Sequence, residues 1–265
     1  MLVILFKDDD LFNLFEIINK INKVYIIIAL AFIFIFWLLE AAMIYLLITK
    51  FTEHKRGLGT FWLAVKVTMI GQYYSNITPL ASGGQPVQLY VLKDSDISLS
   101  NGTAILISKF LLFQIGVTIY SLLLAVYKIK LLTNINNGAS AFIITGLTIN
   151  TVMLSAIVLI AFNQQVLLKL CSFFLNLLYK LHIVKDVNKL MNKTERFISE
   201  YKDSISKLKE DYSYTTKMFV ITVIQITVFF SITYFVYKSF NLNESNIIDI
   251  ICLQSFLYMA VSFIP

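Results

Sequence analysis

The chain has 265 residues, 58% apolar and 14% charged, against roughly 25% charged in an ordinary soluble domain, and its mean hydropathy is +0.76. A soluble domain of this size needs far more charge to cover its surface, so the figures exclude a soluble enzyme, a disordered chain and a nucleic-acid module. The net charge of +6 fits basic loops flanking membrane helices, and no nucleic acid is expected as a partner.

Residues 1–6 are a short apolar run before Lys7-Asp8-Asp9-Asp10. The run is too short to span a bilayer, and it is not a signal peptide because no basic region precedes it. It reads as the tail of a lost first helix. A hydrocarbon core about 30 Å thick needs roughly 20 apolar residues in a helix. Residues 24–49 qualify, with Glu40 as their only charge, and so do 103–127, with only Lys109. Residues 139–161 and 219–237 carry no charge, and 247–264 carry only Asp249. Residues 61–74 are apolar but too short to span alone, with Lys66 among them. The bare end at Pro265 adds to the expectation of a chain truncated at both ends.

Orientation follows the basic loops. The longest polar stretch, 163–215, holds nine Lys and Arg residues and is placed in the cytoplasm. Counting spans backwards puts 93–102 on the same side, as does the basic loop 50–56. The intervening stretch 57–102 then enters the membrane and leaves where it came in, as a re-entrant hairpin. It also holds six of the nine glycines and two of the three prolines. The turn is expected at Gly83-Gly84 and Pro86, with glycine supplying positive φ and proline ending a helix. Such backbone at membrane depth must be buried in protein or line a wet cavity.

Within 185–213, Val187, Met191, Thr194, Ile198, Tyr201, Ile205, Leu208 and Tyr212 recur at spacings of four and three. That is one apolar stripe on a helix. It reads as an amphipathic helix on the cytoplasmic surface or docked on the bundle, with a self-associating coiled coil, hence a homo-oligomer, as the sharper alternative. Residues 167–181 read as an interfacial continuation of the preceding span. The fold class is therefore all-α: one polytopic helical membrane domain with a re-entrant hairpin and an amphipathic cytoplasmic helix. Cys171 and Cys252 match no metal or redox spacing, His54 and His182 lie in no metal-ligand pattern, and no nucleotide fingerprint is present. No cofactor and no metal are expected.

The distinctive stretch is 71–92, GQYYSNITPLASGGQPVQLYVL. Gly71, Asn76, Thr78, Pro79, Gly83, Gly84, Gln85 and Leu92 resemble a pattern like G-x-x-x-N-x-x-P-x-x-x-G-G-x-x-x-x-x-x-x-L, with one residue more between Gly71 and Asn76, of the membrane region of the lysylphosphatidylglycerol synthase/flippase family, the multiple peptide resistance factor group. Lys109 matches the basic residue this family tends to carry in the next helix. The resemblance covers roughly 24–265.

The resemblance implies a role in aminoacyl-phosphatidylglycerol metabolism in a bacterial cell membrane. An AT-rich genome, suggested by 20 Lys against 2 Arg, fits that source. In full-length members a membrane region translocates the lipid, and a soluble domain makes it by transferring lysine from charged tRNA. After Phe219 these residues read as membrane sequence only, so any lysyltransferase activity would need a separate synthase subunit. The implied partner is phosphatidylglycerol or its lysyl ester, and a carrier of another lipid-linked substrate is the further alternative.

A flippase must carry a polar headgroup past hydrocarbon while the tails stay in lipid. Asn76, Thr78, Ser82, Gln85 and Gln88 supply uncharged hydrogen-bonding groups for such a cleft. The N–H groups around Gly83-Gly84 form either an anion nest for the lipid phosphate or a packing turn. Lys109 is either a counter-charge to that phosphate or a snorkelling side chain near the interface. Glu40 either faces a lysyl ammonium or hydrogen-bonds another helix. Lys66 and Asp249 are expected at the interface, and Tyr73, Tyr74 and Tyr90 in an aromatic belt.

Overall fold

A computed structural model describes residues 21–54, 56–128, 137–180 and 187–261. These are mostly helical, with no strand among the described residues. In chain order the helices are α1 (Lys23–Phe51), α2 (Leu58–Ile77), α3 (Gly84–Asp94), α4 (Leu99–Tyr127), α5 (Asn137–Phe162), α6 (Gln164–Lys180), α7 (Val187–Glu210), α8 (Tyr212–Ser239) and α9 (Ile247–Val261). Four are long and apolar enough to cross a bilayer: α1, α4, α8 and the 143–161 stretch of α5. The last expected span, 247–264, is described only in part. Its described part, α9, has 15 residues, about 22 Å at the helical rise, and 262–264 lie outside the described residues, as do 1–6 and His182.

The distribution of polarity is that of a membrane protein. Along α1, Val24, Ile27, Leu30, Phe34 and Leu38 are exposed, whereas Glu40, Gln88, Gln114, Asn150 and Gln225 are buried. Water would not tolerate so broad an apolar surface, and lipid tails do. Polar side chains turn inward, where another helix can satisfy them. Gln114 of α4 donates to Asn150 of α5 at 3.1 Å, and Thr118 reaches the same oxygen at 3.3 Å.

Sidedness follows from contacts at the helix ends. At one end Lys50 bonds Asp211 (2.9 Å), Lys207 donates to the Phe51 carbonyl (3.3 Å) and Ser204 to Asn101 (2.6 Å). The α1–α2 and α3–α4 connections and α7 therefore meet at the same end, as the basic loops imply. At the other end Asn22 bonds Ser239, and Lys128 pairs with Asp249 at 2.9 Å.

The apolar stretch 61–74 lies within a helix of 20 residues, α2, which is not among the four helices long and apolar enough to cross. The hairpin of α2 and α3 differs from the expectation in its turn, which lies at 78–82, before the glycine pair. Both glycines belong to α3, with Gly83 at φ −79° as its N-cap and Gly84 as its first residue, and Pro86 sits in the first turn, where a missing N–H costs nothing. The positive φ falls on Ala81, at 53°. Glycine serves close approach instead: a Cβ on Gly84 would strike Ser75 Oγ and come within 2.9 Å of the Gly71 carbonyl, and one on Gly83 would lie 2.6 Å from Thr78 Cγ2.

The return arm ends in a Schellman turn. Ile97 donates to Leu92 and Asp96 to Lys93, with Asp96 at φ 61°, a conformation Asp tolerates. Ser98 then caps α4 through the Asn101 N–H.

Helix α7 docks on the bundle. Ile198, Tyr201, Ile205 and Leu208 are buried, so this part of the stripe is taken up within the chain and does not face a second copy. Tyr212 is the exception, 81% exposed, because α7 stops at Glu210 and Tyr212 opens α8. Helix α6 is no direct continuation of α5: the Asn163 side chain accepts from Gln165 and Val166 and starts a new helix.

Candidate functional site

The only acid of α1 and the only base of α4 meet inside the bundle. Lys109 Nζ lies 2.7 Å from Glu40 Oε1, with side chains 17% and 8% exposed. Glu40 is about 16 Å along α1 from its Phe51 end, and Lys109 about 15 Å along α4 from its Leu99 end. The two charges thus sit at matching heights along their helices, and the Lys109 ammonium turns to Glu40 inside the bundle. Desolvating either charge alone is costly, and each offsets the other only because further hydrogen bonds complete the geometry. Gln72 Nε2 donates to the second Glu40 oxygen at 2.7 Å. Gln88 Oε1 accepts from Lys109 at 3.3 Å, and Gln88 Nε2 donates to the Val67 carbonyl at 3.3 Å. Gly71 makes this placement possible, since a Cβ there would overlap the Gln88 amide.

Beside the pair lies a cavity of about 200 Å³. Glu40, Gln72, Gln85, Lys109, Thr222 and Gln225 supply a polar wall, and Phe36, Met43, Phe110 and Phe113 an apolar one. A group with charge at one end and hydrocarbon at the other can satisfy both walls. Among the described residues there is no cluster of His, Cys, Asp or Glu fit to hold a metal.

Of the residues singled out in the sequence, Glu40, Gln85, Gln88 and Lys109 converge here. Asn76, Thr78, Pro79 and Gly83 form the tip of the hairpin, and Gly84 packs its arms. Thr78 Oγ1 donates to the Tyr74 carbonyl (2.6 Å) and accepts the Gly83 N–H (2.9 Å), so the Gly83 donor is already satisfied inside the turn. Asn76, Pro79, Ser82 and Gln85 are exposed, as are Lys66, Tyr73, Tyr74 and Tyr90. Asp249 is in an ion pair. Sequence reasoning missed Gln72, Thr222 and Gln225 as site residues. Gln225 carried a legible signal: a buried amide in an otherwise apolar span must find a polar partner or a wet cavity.

The model of the family described as the lysylphosphatidylglycerol synthase TM region matches residues 1–265. The chain belongs to this family. No curated protein and no solved structure matches it. Membership and the four crossing-length helices establish a multi-pass membrane protein with a membrane role in lysylphosphatidylglycerol metabolism.

Proposed function

We propose that the chain is a lipid translocase, moving aminoacyl-phosphatidylglycerol between the leaflets of a bacterial cell membrane, with 163–215 in the cytoplasm. The observation that carries this reading is the buried Glu40–Lys109 pair on the wall of an amphipathic cavity. The lysyl ester of phosphatidylglycerol bears a phosphodiester anion and lysyl ammonium groups. Such a headgroup can exchange partners with the pair, ammonium to Glu40 and phosphate to Lys109, without leaving either protein charge alone in low dielectric. Its acyl chains remain against the phenylalanine wall and the lipid.

The hairpin serves this reading as a re-entrant element. Beyond the level of the pair, α1 runs about 26 Å to Lys23 and α4 about 27 Å to Tyr127, but α2 only about 8 Å before it turns. A polar tip short of the far ends of the bundle gives a headgroup hydrogen-bonding groups at depth. Export of the lysyl lipid would lower the negative charge of the outer leaflet and with it the attraction of cationic antimicrobial peptides.

The test measures lysyl lipid in the outer leaflet and in total extracts, in cells lacking the gene and complemented with wild type or Glu40→Gln/Lys109→Met. Deletion and the double variant should deplete the outer leaflet and leave the total unchanged. Loss from both leaflets would mean synthesis, and no change in either would refute both roles.

A further inference from the structure

We propose that the basic end of the bundle carries a second lipid site, which holds an anionic phospholipid with its phosphate between Lys193 and Arg196 and an acyl chain in an apolar chamber behind them. This site does not depend on the reading of the Glu40–Lys109 cavity, which it adjoins.

A cleft of about 500 Å³ opens between the start of α4 and one face of α7, where Ser98, Ser100, Lys193, Arg196, Phe197 and Glu200 line it. Lys193 and Arg196 stand three residues apart, hence on the same face. Both are exposed, and neither is paired among the described residues. The carboxylate in the cleft, Glu200, accepts a hydrogen bond from Ser100 Oγ, which draws it to the α4 wall. Two cations face one engaged acid, so the cleft favours an anion. The first turn of α4 adds its positive helix end.

Phe197 also lines a second chamber, of about 400 Å³, between α4, α5, α6 and α7. Its walls are almost wholly apolar, from Ile107, Phe110, Ile157, Leu167 and Cys171 among others. A free anion matches only the cleft, and a neutral apolar molecule only the chamber. A molecule with a phosphate joined to hydrocarbon matches both across the shared Phe197. Basic pockets between helices at the cytoplasmic face suit anionic lipid headgroups. Phe110 closes the inner side and is shared with the Glu40–Lys109 cavity, so the two sites abut.

The test titrates the full chain in detergent with phosphatidylglycerol or phosphatidylcholine bearing the same fluorescent acyl chain. The titration is repeated in the Glu40→Gln/Lys109→Met background to silence the inner cavity. Phosphatidylglycerol should bind at least tenfold more tightly than phosphatidylcholine in both backgrounds. Lys193→Gln/Arg196→Gln should abolish that preference. Ile157→Trp, which fills the chamber, should weaken both lipids tenfold. Bound phosphatidylglycerol should also slow maleimide labelling of the native Cys171, a readout that needs no core substitution. Equal affinity for the two lipids would overturn the proposal, as would loss of binding in the Glu40/Lys109 background. So would a site that inorganic phosphate empties and that neither Ile157→Trp nor Cys171 labelling reports.

Discussion

Removing either member of the Glu40–Lys109 pair should cost more than removing both. Glu40→Gln leaves the Lys109 ammonium with the Gln88 carbonyl oxygen at 3.3 Å as its remaining partner. Lys109→Met leaves the Glu40 carboxylate with Gln72 at 2.7 Å. Breaking a buried pair from one side typically costs about 3–5 kcal/mol, because an uncompensated charge stays behind, whereas exchange of both partners for neutral side chains is often near neutral. The burial of both side chains, 17% and 8% exposed, puts this pair in that class. Each single variant should therefore lose about 3 kcal/mol or more, and the double variant Glu40→Gln/Lys109→Met less than either. The assay is reversible denaturant unfolding in mixed micelles, read by tryptophan fluorescence and circular dichroism for the four members of the cycle. Single losses that add in the double variant would refute the reasoning, since additivity is the signature of groups that do not interact.

The hairpin turn gives two opposite expectations. Ala81→Gly should stabilise by about 0.5–1 kcal/mol, because an L side chain at φ 53° is strained and glycine is not. Gly84→Ala should destabilise by about 1–3 kcal/mol, since its Cβ meets Ser75 and the Gly71 carbonyl; thermal unfolding of the two variants checks both signs. At the basic end, the hydrogen bond from Lys50, followed by that from the Tyr214 N–H, holds the Asp211 carboxyl below the ordinary carboxylate range. A depressed folded pKa contributes stability above the unfolded value, about 3.9, and loses it as pH falls through the folded value. Denaturant midpoints measured from pH 6 downward should therefore fall less steeply for Asp211→Asn than for wild type. Tyr201 is buried, and desolvation pushes its phenol up to about 12. In an absorbance titration, Tyr201→Phe should remove a late, alkaline step and leave the earlier ones.

The membrane class, four of the five expected long apolar helices, the meeting of the basic loops at one end and the hairpin were legible in the sequence. Apolar run length and charge placement are local properties that lipid reads directly. The inward stripe Ile198, Tyr201, Ile205 and Leu208 was legible for the same reason, because helical period is local. Glu40 and Lys109 stood out as single charges in apolar spans, and the cost of such charges marked them as special. Their pairing was not legible. They are 69 residues apart, and only the packing of α1 against α4 sets them at matching heights. The role of the glycines was likewise decided in three dimensions. The sequence pattern suggested positive φ at Gly83-Gly84, but the tight approach of α2 to α3 is what excludes a side chain there, and the strained residue is Ala81. Which polar groups share a cavity, Gln72 and Gln225 included, depended on the crossing of helices far apart in sequence, and only the tertiary structure fixes those crossings.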